Sequence, residues 1–168
     1  MKSTIKKIVT KRKITAITYC QIDVAVMLAM CHTLLIEGLH DQRFLDRYTT
    51  GFDRFAAYLR GDSDGTPKTA VWAAAISGMA AEDIVTLSRQ MAAERTMLTV
   101  SWSLTRQQFG EQPFWAVVAL AAMIGDMGKP GGGVGFGYTI TNYLGNNVFK
   151  TLFQKQCFQS ISNNVFKF

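Results

Sequence analysis

Met97-Leu98-Thr99-Val100-Ser101-Trp102 is an apolar, β-prone run set between two segments of helical texture. A run this short and apolar reads as a buried strand. It leads into the polar stretch Ser103-Leu104-Thr105-Arg106-Gln107-Gln108-Phe109-Gly110-Glu111-Gln112. Pro113 to Met127 follows as an apolar helix, and Gly128 to Gly137, with five glycines from 131 onward, as a flexible loop. Helix, strand, helix and glycine loop in succession predict an α/β layer. One convincing strand cannot make a sheet, so this zone is expected to pack against partners outside the chain.

Working back toward the N-terminus, helical periodicity dominates. Val24, Met27, Leu28, Cys31, Leu34 and Leu35 recur at spacings of three and four, which predicts a helix over Asp23 to Glu37 with a stop at Gly38. Asp41 can cap a short helix through Tyr48, and residues 52–60 form another amphipathic stretch. Gly61 to Gly65 reads as a solvated loop. Thr66 with Pro67 behind it predicts a capped helix through Trp72 and Ile76 to Gly78, and a further helix spans Ala80 to Ala93.

The chain has 168 residues, 48% hydrophobic and 18% charged, which is a globular composition. Its net charge of +6 sits at the ends. Residues 1–13 hold six basic side chains and no acid. Residues 14–147 hold nine basic and twelve acidic ones, and residues 148–168 add three lysines. A basic tail on a mildly acidic body is a weak sign of nucleic-acid binding. Three zones follow from the texture: 1–21, basic and without amphipathic period; 22–147, well punctuated; and 148–168, a low-complexity tail. In that tail Asn163-Asn164-Val165-Phe166-Lys167 repeats Asn146-Asn147-Val148-Phe149-Lys150. Cys20, Cys31 and Cys157 are scattered and read as reduced structural thiols rather than a disulfide or metal framework. No stretch has the apolar length of a membrane span, and no export signal is evident, so the compartment stays open.

Each candidate motif has a plain reading beside its functional one. The glycines at 131, 132, 133, 135 and 137 allow close backbone approach, but no GxGxxG spacing is present and the loop follows a helix, so a structural turn is favoured. The connection from Trp102 to Gln112 lies after a strand and before a helix, where open α/β sheets bind ligands. Trp can stack there, and Arg and Gln can hydrogen-bond a polar heteroaromatic ring; an ordinary strand–helix connection fits equally well. His32 reads as a hydrogen-bonded core residue and His40 as solvated. Asp62 and Asp64 do not complete a calcium loop and read as a solvated turn. No residue is marked as catalytic or as a metal ligand.

Five blocks in order carry a family resemblance. They are Asp23 to Met30 with His32-Thr33-Leu34; His40-Asp41 with Phe44-Leu45 and Tyr48 to Phe52; and Tyr58-Leu59 with Gly61 to Gly65 and Lys68 to Ala73. Trp102-Ser103-Leu104 with Arg106-Gln107 and Gly110-Glu111-Gln112 is the fourth, and Pro130 to Gly135 the fifth. Residues 22–147 resemble the molybdopterin oxidoreductases, in the branch that reduces dimethyl sulfoxide, trimethylamine N-oxide and biotin sulfoxide. The resemblance implies an α/β fold: a helix-rich fragment of a Rossmann-like parallel-sheet domain. It implies a molybdenum bis(molybdopterin guanine dinucleotide) cofactor and a small S-oxide or N-oxide substrate. Asp23 matches an aspartate near the nucleotide end of one pterin cofactor. Trp102 and Arg106 match positions beside the pterin, and Gln107 and Gln108 are weaker cofactor contacts.

The chain also departs from the pattern. Ile22 stands where the family has Thr. The serine that binds molybdenum lies upstream in the family and has no counterpart here. Residues 1–20 and 148–168 do not resemble the family, as a frameshifted or truncated reading frame would produce. The chain is expected to be inactive alone and to need the remainder of a reductase. Two alternatives stand beside this. One is a truncated remnant with no activity. The other is a small basic nucleic-acid-binding protein acting through residues 1–13, which requires steeply salt-dependent binding.

Overall fold

The computed structural model describes residues 8–9, 13–14, 23–106 and 108–136. The element order is β1 (Ile8–Val9), β2 (Lys13–Ile14), α1 (Asp23–Ile36), α2 (Gln42–Tyr48), α3 (Phe52–Arg60), α4 (Ala70–Ser77), α5 (Ala81–Ala93), β3 (Met97–Val100), α6 (Gln112–Ile124) and β4 (Gly133–Phe136). A 3-10 helix, Trp102–Arg106, joins β3 to the approach of α6. β1 and β2 pair antiparallel, Ile8 opposite Ile14. β3 and β4 pair parallel, from Met97 opposite Gly133 to Val100 opposite Phe136. The chain is thus helix-rich, with a small two-stranded parallel sheet.

Two helices carry the core because their sequences are apolar on every side. In α1 the residues from Ala25 through Cys31 are buried, with Thr33 and Leu34. In α6 burial runs from Ala116 through Met123. A helix that is apolar all round has to be covered all round. α1 packs against α3, α4, α5 and α6, and α6 packs also against α2, β3 and β4. Thr33 and Ser88 are polar but buried; each hydroxyl donates to the carbonyl one turn back, Ala29 at 2.9 Å and Ile84 at 2.8 Å. That local bond removes the cost of an unsatisfied hydroxyl.

Most of the expected helices are present, and their caps explain their ends. The Asp41 carboxylate accepts from the Phe44 backbone N–H at 3.0 Å and starts α2. Gly78 and Gly125 end α4 and α6 in the left-handed conformation. The α6 end falls at Ile124, short of Met127.

Three expectations are corrected. Gly133 to Phe136, read as loop, is β4: with glycine at alternate positions the strand has no side chains to show a period of two. The cap of α4 is Thr69, whose hydroxyl accepts from Trp72 N–H at 3.1 Å, and not Thr66. Thr66 is held by Asp64 instead, and Lys68 N–H donates to the Leu59 carbonyl, so the chain turns inward before the helix begins. His40, expected in solvent, is half-buried. Its Nδ1–H donates to the Leu34 carbonyl at 3.3 Å, and its ring lies 5.6 Å from that of Phe52. It ties the end of α1 to the start of α3.

The loop from Gly61 to Lys68 holds a feature that composition hides. The Lys68 side chain is 3% exposed. Its Nζ donates to Asp64 Oδ2 at 2.5 Å and to the Thr66 carbonyl at 2.6 Å. It also lies 4.6 Å from the centre of the Tyr58 ring and 5.4 Å from that of Trp72. A buried ammonium is tolerated because two oxygens and two aromatic faces replace its water.

The hydrogen bond from Lys68, helped by the Thr66 N–H, holds the Asp64 carboxyl below its ordinary value of 3.8. Arg89 does the same for Glu37, through hydrogen bonds of 2.9 and 2.8 Å. A carboxyl that ionises more easily folded than unfolded stabilises the fold above its ordinary pKa. That contribution is lost as pH falls through the folded value. Thermal stability is therefore expected to decline from about pH 4 downward. Asp64→Asn should flatten part of that limb in melts between pH 6 and 3; an unchanged slope would exclude the Asp64 contribution.

Candidate cofactor-contact site

The carboxyl end of β3 is placed by contacts at both of its flanks. Before the strand, the Thr96 N–H donates to Asp126 Oδ2 at 2.9 Å, and its hydroxyl donates to the carbonyls of Met91 and Glu94. Asp126 also accepts from Lys129 Nζ at 3.1 Å. Gly133 N–H donates to the Thr96 carbonyl, and Arg95 donates to that of Pro130. These bonds tie the start of β3 to the start of β4 and set their register. After the strand, Leu104 is buried and anchors the 3-10 helix, whose first turn closes from Leu104 N–H to the Ser101 carbonyl.

Trp102 and Arg106 are the first and last residues of that 3-10 helix, so one short element carries both. Arg106 is exposed. The side chain of Trp102 and the whole of Gln107 lie outside the described residues. Gln108 is exposed. Asp23 stands on a different element, as the first residue of α1, and is fully buried. An acidic group in the first turn is favoured by the helix dipole. The helix bearing Asp23 packs on α6, as does β3, the strand that leads into the 3-10 helix of Arg106.

The loop between the 3-10 helix and α6 contains what the sequence pattern did not mark. Gly110 sits so close to the preceding turn that a Cβ there would lie 2.6 Å from the Leu104 carbonyl oxygen. Phe109 beside it has φ of +56°, the one positive value among the described non-glycine residues. Phe109 is 61% exposed, and Trp115 in the first turns of α6 is 53% exposed. Hydropathy could not have found Phe109, because an apolar residue in a helix approach reads as core.

Two further reactive groups lie on α1. Cys31 is buried, and burial pushes its thiol up, which makes it a poor nucleophile. His32 is half-buried on α1, and burial pulls its pKa down. Among the described residues no cluster of three or more His, Cys, Asp or Glu side chains could hold a metal ion. No helix among them is long and apolar enough to cross a membrane.

The profile of the family described as Molybdopterin oxidoreductase matches residues 14–164. A dimethyl sulfoxide/trimethylamine N-oxide reductase of Cereibacter sphaeroides is 58% identical over 122 residues, covering 73% of this chain and 15% of its own length. Trimethylamine-N-oxide reductase 1 of Escherichia coli K12 is 51% identical over 118 residues, 70% of this chain and 14% of its own length. A biotin sulfoxide reductase of Cereibacter sphaeroides is 52% identical over 116 residues, 69% and 16%. The chain therefore spans about 15% of the length of such curated relatives. With this match over nearly all of its length, the chain belongs to the molybdopterin oxidoreductase family.

Proposed function

We propose that this chain forms part of a molybdenum-cofactor-dependent reductase of S-oxides or N-oxides and supplies contacts to the pterin cofactor, in its bis(molybdopterin guanine dinucleotide) form. The observation that carries the reading is 58% identity over 122 residues to a reductase of that kind. The parallel β3–α6–β4 crossover supports a place in a larger Rossmann-like sheet, with the 3-10 helix at the strand's carboxyl end where such sheets take ligands. Residues 22–147 form this partial domain, between a basic segment 1–21 and a low-complexity tail 148–168.

The residues fit the group unequally. Arg106 is exposed and offers a planar fork of donors to ring carbonyl or phosphate oxygens. Trp102 on the same short helix supplies a stacking ring, and Gln107 a further polar contact. Asp23 can accept two hydrogen bonds from a guanine edge, but it is fully buried, so it meets a nucleotide only after its cover opens. When bound, the molybdenum–pterin group supplies the two-electron oxygen-atom chemistry. The residues of this chain bind and orient it, and the remainder of the reductase completes the pocket and the substrate approach.

The test is molybdenum and pterin content, with circular dichroism, on the chain purified from a host that makes the cofactor. Retained pterin with a cooperative melt is expected. Arg106→Ala should lower retention roughly tenfold at an unchanged melting temperature, the loss of a bidentate charged contact. A cooperative melt with no pterin would overturn the reading. It would favour the second one, an inactive remnant.

A further inference from the structure

Phe109 is held in a conformation that folding alone gives no reason to choose. A left-handed backbone is strained for a bulky residue, and glycine or asparagine would occupy φ of +56° at lower cost. Burial offers little to offset the strain, since Phe109 is 61% exposed. The conformation is nevertheless fixed from both sides. Gly110 is seated against the Leu104 carbonyl and Thr105, and Gln112 N–H donates to the Phe109 carbonyl at 3.0 Å. A fixed, strained and exposed aromatic ring three positions after the exposed Arg106, at the carboxyl end of a parallel strand, combines a flat apolar face with a cationic donor fork.

We propose that Phe109 is a stacking residue of the ligand site, and that with Arg106 it takes a flat nitrogen heteroaromatic ring carrying carbonyl or anionic oxygens. The ring faces give sequence-tolerant stacking, and the guanidinium reads the oxygens. The inference rests on the reading that this end of β3 faces the pterin, and it adds a contact that none of the matched blocks contains. It also explains the seat of Gly110: a side chain there would push the turn off Leu104 and release Phe109 from its position.

The experiment is a fluorescence-polarisation titration of the whole chain with 6-carboxypterin, alongside thermal melts. Phe109→Gly removes the ring and relieves the backbone, so its melting temperature should be unchanged or higher. Its affinity should fall roughly tenfold, the loss of one stacked ring. Phe109→Trp should retain affinity. A Phe109→Gly chain that binds as tightly as the parent, while Arg106→Ala binds weakly, overturns this inference and leaves the cofactor-contact reading intact. No binding by the parent chain overturns both. If Phe109→Gly fails to fold, Phe109→Leu decides, since it keeps the bulk and removes the aromatic face; parental affinity in that variant rejects the proposal.

Discussion

Gly125→Ala is expected to lower the unfolding free energy by about 3–5 kcal/mol, a loss large enough to unfold a marginal domain. Gly125 ends α6 at φ of +74°. A left-handed backbone costs roughly 1–2 kcal/mol for an L-residue. The larger part comes from a collision: the new methyl would lie 2.4 Å from the Asp41 Cβ and 2.6 Å from its Oδ2. Asp41 cannot simply withdraw. Its N–H donates to the Met123 carbonyl at 2.8 Å, and its carboxylate caps α2. Gly78→Ala provides the control, because Gly78 has φ of +71° and nothing within 4 Å of the added methyl. Urea unfolding of the two variants separates the terms. Equal losses would show that the Asp41 contact does not resist the methyl.

The second large effect is expected at Lys68. Lys68→Ala should cost about 2–4 kcal/mol, since it empties the space between Tyr58 and Trp72 and removes the donor to Asp64 and Thr66. Lys68→Met keeps the stem and removes the charge. It should cost less than half as much, because the Asp64 side chain is 41% exposed and regains water when its partner is lost. Chemical denaturation of both variants checks this. A methionine variant as unstable as the alanine one would assign the stability to the ammonium contacts and not to the packed stem.

How far the fold was legible depended on whether a local signal matched the local cause. α1, α2, α3 and α5 were readable because their spacing and caps act within a few residues; Asp41 caps the helix that its position announces. β4 was not, because its pairing with β3 is decided by α6 lying between them and by Asp126 and Thr96 joining their starts. Lys68 was hidden for a related reason. A lysine beside two aspartates reads as solvated, and only the meeting of Tyr58 and Trp72 around it makes burial tolerable. Of the candidate site, the position of Arg106 after a strand was legible, and the structure leaves it exposed. Phe109 was not, since a backbone dihedral leaves no mark in hydropathy.

The parallel pairing of β3 with β4 also bears on the order in which the chain assembles. Met97 meets Gly133 only after roughly 36 residues have been closed into a loop, at an entropic cost of about 3 kcal/mol before any ladder bond forms. Parallel strands cannot shorten that loop with a hairpin, and its interior is α6 itself. The packing of α1 against α4, α5 and α6 closes longer stretches of chain still. The strand pair zips once α6 has docked against both of its strands, and amide exchange at its ladder bonds would report that docking.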